Sequence, residues 1–205
     1  MIKNKRILVA TAVCGSLCGL YAQQTVAADA SVEMVVGTKR VDGDLFVKGH
    51  PVEHVRFVAR DLLRVAYDGT ATNFLLGRAE CGDFYGLKPA LEAQKGDAFA
   101  VARGGVVYAH TFWSLDVFLE TVANQRLNWE QTAIASYTRG PLQLTLEGVV
   151  TMDKKTPVFI ATLPRVRYLF NERYSVGIGA NTTHVKTGTG YTHTLNPGVT
   201  LRASF

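Results

Sequence analysis

From Val55 onward the chain repeatedly sets apolar residues on one parity and polar residues on the other, the period-2 pattern of a strand with two unlike faces. The last stretch is the clearest: Val199, Leu201, Ala203 and Phe205 alternate with Thr200, Arg202 and Ser204. Over 54–67, Val55, Phe57, Ala59, Leu63, Val65 and Tyr67 oppose His54, Arg56, Arg60 and Arg64, with Asp61 the one exception. The same arginines would share a helical face at i, i+4 and i+8. A strand fits better, because His54, Arg56, Val58 and Arg60 keep period 2 unaided.

Similar segments follow over 70–82, 98–109, 113–120, 129–137, 142–151, 157–170 and 174–181, with an earlier one over 32–41. Between them, 42–53 and 83–96 carry Gly, Pro and mixed charge and are expected to be loops. Short turns near 68, 111, 140 and 172 then alternate with longer connections, which places both termini on the short-turn side. The count is ten strands, or eight if 31–50 lies outside the sheet.

Residues 1–30 change the picture. Lys3, Lys5 and Arg6 precede an apolar run from Ile7 to Leu20 and a small-residue stretch VAADA, the layout of an export signal cleaved after Ala28 or Ala30. The run is shorter than the roughly 20 residues that span a bilayer. Val13 and Leu17 precede Cys14 and Cys18 where a lipid-attachment site has a small residue. The remaining domain, 31–205, has Cys81 alone and so no internal disulfide. Removing the signal lowers the net charge from +5 to +3, spread along the chain, which does not indicate nucleic-acid binding.

No segment of 31–205 is apolar for 18 residues, so a membrane protein of this sequence has to be a closed barrel, the other structure that pairs every backbone group in lipid. An export signal and a final strand ending on Phe205 resemble bacterial outer-membrane β-barrel proteins. The resemblance implies a closed antiparallel up-and-down transmembrane β-barrel in the outer membrane. Its partners would be membrane lipid and lipopolysaccharide, with Phe205 read by the assembly machinery. Tyr67, Trp113, Trp129, Tyr137, Tyr168, Phe170, Tyr174 and Phe205 would form interfacial girdles. The opposite parity would hold Arg56, Arg60, Arg64, Asp116, Glu120, Glu147, Arg165, Arg167 and Arg202 as an ion-pair network filling the lumen.

Candidate bases in 31–205 are His50, His54, His110, His184 and His193. Lipid A deacylases carry His-x-Ser, whereas His184 is followed by Val185 and Lys186. The stretch 157–180, PVFIATLPRVRYLFNERYSVGIGA, resembles lipid A palmitoyltransferases, in which prolines interrupt strand pairing so that lipid enters sideways. That resemblance implies His54 as a catalytic base, with His184 as a rim alternative, and Pro157 and Pro164 as a lipid gate. The family's Asp-Ser pair occurs nowhere in the chain. The sequence therefore predicts a structural or surface-interaction barrel without metal or cofactor. A lipid-A-modifying acyl enzyme and a narrow passive channel are the alternatives.

Overall fold

The computed structural model describes residues 28–52, 55–97, 99–124, 128–153, 156–188 and 190–205. Residues 1–27 of the expected signal, and His54, lie outside them. The strands are β1 (Ala28–Gly37), β2 (Arg40–Val52), β3 (Val55–Ala66), β4 (Ala71–Cys81), β5 (Leu87–Gly96) and β6 (Phe99–Phe112). The chain continues through β7 (Leu115–Ala123), β8 (Asn128–Arg139), β9 (Leu142–Asp153), β10 (Thr156–Leu169), β11 (Tyr174–Thr187) and β12 (Gly190–Ser204). Each strand pairs antiparallel with its sequence neighbours, and β1 closes on β12, giving an up-and-down barrel. At the closure the Phe205 amide donates to the Ala30 carbonyl at 2.8 Å, and the Ala30 amide donates to the Phe205 carbonyl at 3.3 Å.

Twelve strands replace the expected eight or ten. Of the stretch 42–53, residues 42–52 belong to β2, and the stretch 83–96 contains β5. In β2, Arg40, Asp42 and Asp44 point inward while Val41 and Leu45 point out, so charge at every second position marks a lumen face and not a loop. In β5, Glu92 and Gln94 are buried inside and Leu91 is exposed outside. Two added strands also shift the turns. The connection at 67–70, which follows β3, lies on the rim opposite the termini, whereas those at 113–114, 140–141 and 170–173 share the terminal rim.

The faces are inverted relative to a water-soluble core. Arg78, Glu80, Glu92, Arg103, Glu120, Arg165 and Arg167 are buried, whereas Leu75, Leu91, Leu144, Leu146, Val166, Ile178, Val199 and Leu201 are exposed on the outside. Leu146 is 53% exposed while its chain neighbour Glu147 is 9% exposed. Burying charge while exposing leucine is unfavourable in water and favourable in lipid, where only an apolar wall is solvated.

Candidate functional site: the lumen

The inward parity of the strands builds one largely polar interior, and most of its described charges are paired. Arg60 on β3 is the central link. Its Nη2 lies 2.6 Å from Asp44 Oδ2 on adjacent β2, and its Nη1 lies 2.9 Å from Glu147 Oε1 on β9. β3 and β9 stand six strands apart by either route round the wall, so this contact crosses the lumen. An arginine reaches both carboxylates at once because its planar fork offers several donors.

On one side of that bridge, Glu33 of β1 receives hydrogen bonds from both Arg165 and Arg167 of β10. Arg165 also donates to Asn181 Oδ1 at 3.1 Å and to the Leu163 carbonyl at 3.0 Å. Asn181 in turn contacts Asp42, whose other oxygen accepts from Arg40 Nε at 2.7 Å. Arg167 reaches Thr145 Oγ1 at 3.2 Å and Gln143 Oε1 at 3.3 Å. On the other side, Arg56 Nε donates to Glu80 Oε2 at 2.7 Å. Arg78 bonds Glu80 at 2.9 Å and Glu120 at 2.6 Å, with its guanidinium 5.1 Å from the Phe118 ring centre. Gln94 links Glu92 at 2.7 Å to Glu130 at 2.9 Å, and Arg103 holds Asn128 Oδ1 at 2.7 Å.

The expected network residues are thus placed as follows. Arg56, Arg60, Glu120, Glu147, Arg165 and Arg167 stand in these clusters. Arg64 lies at the margin, 4.0 Å from Asp42. Asp116 is apart from them, exposed and accepting from Thr111 Oγ1 at 2.7 Å. Arg202 is the register partner of Glu33 across the β1–β12 ladder. Sequence reasoning missed Glu33, Asp42, Asp44, Arg78, Glu80, Glu92, Arg103 and Glu130. Parity within β2, β4 and β5 was the available signal.

The residues proposed for acyl chemistry are dispersed. His184 faces outward and its ring contacts His193, not a hydroxyl nucleophile. Pro157 sits where the β9–β10 register shifts by a bulge. Pro164 lies mid-strand, and the β10–β11 pairing skips Leu163 and Pro164 without changing register, as a residue lacking an N–H requires. Pro164, Ala180 and Pro197 line a shallow outer depression of about 990 Å³. Arg165 closes the gap from within by bonding the Leu163 carbonyl.

No protein-family model matches the sequence, and no curated protein matches it. Among solved structures the chain is similar to the KdgM porin, with a TM-score of 0.56 and 14% identity over 87% of this chain and 98% of that one. It is also similar to the KdgM porin in complex with disordered oligogalacturonate, with a TM-score of 0.55 and 14% identity over the same shares. The fold is that of the outer-membrane β-barrel porins.

Proposed function

We propose that the protein is a passive outer-membrane channel for small hydrophilic solutes, held narrow by the Arg60–Glu147 bridge. The observation that carries this reading is the twelve-strand wall around a lumen lined by charge on every strand but β11, which contributes Ser175, Asn181 and Thr183. Eight strands leave room only for packed side chains, and each added strand widens the interior. Pairing of nearly every luminal arginine with a carboxylate leaves little net field, so weak charge selectivity is expected. The similarity in fold to a porin supports a channel over the structural or surface-interaction role read from the sequence, and over a lipid A enzyme. Oligogalacturonate, the solute named for the KdgM complex, is the first sugar to try. Contact with lipopolysaccharide through the apolar wall, and recognition of Phe205 during assembly, belong to the same reading.

The test is single-channel recording in a planar bilayer. Wild-type protein is expected to give discrete steps, and Arg60→Ala with Glu147→Ala is expected to enlarge them several-fold. If neither protein conducts while both retain the heat-dependent gel mobility of a folded barrel, the channel reading is wrong and a closed structural barrel remains.

A further inference from the structure

β11 and β12 continue past the rim formed by the β1–β2 connection. The β1–β12 ladder ends at Gly37 opposite Gly198, whereas the β11–β12 ladder runs on to Thr187 opposite Gly190. On this continuing section His184 and His193 are direct cross-strand partners, both on the outward parity. Their ring centres are 4.5 Å apart with the planes at 77°, and the two Nδ1 atoms are in contact. A neutral imidazole carries one lone pair and one N–H. Two facing Nδ1 atoms therefore attract either when one ring donates its N–H to the other's lone pair or, with both lone pairs turned inward, when they share a metal ion.

We propose that His184 and His193 bind one divalent transition-metal ion of the copper, zinc and nickel class through their Nδ1 atoms, with water completing the coordination. Imidazole nitrogen suits these ions, whereas magnesium and calcium require oxygen donors. Metal–nitrogen bonds of about 2.0–2.1 Å put two such nitrogens about 3 Å apart, so small ring rotations open the site without moving the backbone. The hairpin is anchored on the tip side of the pair. The next outward pair toward the tip is Lys186 with Tyr191, and the Tyr191 hydroxyl donates to the Pro157 carbonyl at 2.9 Å, tying the hairpin to β10. The histidines stand nine positions apart in sequence, so only the register reveals the pair.

The test uses folded protein in detergent with its cysteines changed to serine, because the exposed Cys81 thiol would compete for the metal. Titration with Cu(II) is expected to give one equivalent, and the electron spin resonance spectrum is expected to show coupling to two nitrogens. His184→Asn and His193→Asn are each expected to weaken binding at least tenfold. Zn(II) is expected to raise the temperature of the heat-dependent mobility shift in wild type only. Both positions are outward, so the variants keep the barrel, which the same mobility shift verifies. Undiminished binding in the double variant, or no one-equivalent binding in wild type, overturns the proposal.

Discussion

Arg60 Nη1 lies 2.9 Å from Glu147 Oε1 although the two residues stand on opposite walls, and the same guanidinium holds Asp44 at 2.6 Å. The barrel is thereby braced across its diameter as well as round its circumference. Arg60→Ala leaves two carboxylates without their donor, each partly sheltered from water, at a cost of roughly 1–3 kcal/mol. Arg60→Lys keeps the charge but loses the fork, so it should fall between. The midpoint temperature of the heat-dependent mobility shift is expected to rank wild type above Arg60→Lys above Arg60→Ala. Equal midpoints would mean that water replaces the bridge without loss.

A second brace holds the seam. Asn196 is fully buried, its Oδ1 accepts the Lys39 amide at 3.0 Å, and its Nδ2 donates to the Arg40 carbonyl at 3.3 Å. The side chain lies over Gly37, where an added Cβ would sit 2.2 Å from Asn196 Oδ1. Gly37→Ala is therefore expected to lower the yield of heat-modifiable barrel, whereas Gly148→Ala, which meets nothing within 4 Å, is expected to be neutral. Densitometry of unboiled samples reads both. Asn196→Ala should resemble Gly37→Ala, because it frees the Lys39 amide at the point where β1 leaves β12.

Most of this architecture was legible where one face is rich in large apolar residues, as in β9 and β12. Leu142, Leu144 and Leu146 mark the lipid face of β9 without ambiguity. β2 and β5 were lost because their outward positions include Gly43, Pro89 and Ala93, small or ring-closed residues that also punctuate loops. In those strands the informative face was the polar one, where Asp42, Asp44, Glu92 and Gln94 recur at period 2. The arginines and glutamates of the lumen could be placed on one face from sequence, yet their pairing could not. Arg60 meets Glu147 through closure of the whole wall, which no local period encodes. The His184–His193 contact likewise depends on register.

At the terminal rim, the Asp83 carboxylate accepts the Gly86 amide at 2.8 Å and lies 3.3 Å from Lys88 Nζ. The amide bond, and then the ammonium, favour the ionised form and hold its pKa below the ordinary value of 3.8. A depressed carboxylate contributes stability that is present above its unfolded value and lost as pH falls through its folded value. Ordering of the Asp83–Gly86 turn is thus expected to be constant at neutral pH and to fade only below about pH 4. Carboxyl carbon shifts of Asp83 against pH give the check. Asp83→Asn should remove the titration while retaining the amide contact, and a midpoint above 3.8 would contradict the assignment.

Should residues 1–30 act as the export signal that their sequence suggests, the closing ladder bears on which of the two expected cleavage positions is used. Cleavage after Ala30 would remove the residue whose amide and carbonyl both pair with Phe205. It would also remove Asp29, whose carboxylate lies 3.0 Å from Lys48 Nζ. That ion pair is exposed and contributes little, so the backbone pair decides. Phe205 is exposed at the rim, so each of these two backbone bonds contributes about 0.5–1.5 kcal/mol rather than the larger cost of a group stranded in lipid. Cleavage after Ala28 keeps the full pairing between the first and last strands and leaves Val26-Ala27-Ala28 as the small-residue recognition site. Intact mass of the exported protein is therefore expected to correspond to a chain starting at Asp29. A chain starting at Ser31 would leave the Phe205 carbonyl unpaired in the ladder, and its heat-dependent shift should then occur at the same temperature as that of a Phe205 deletion.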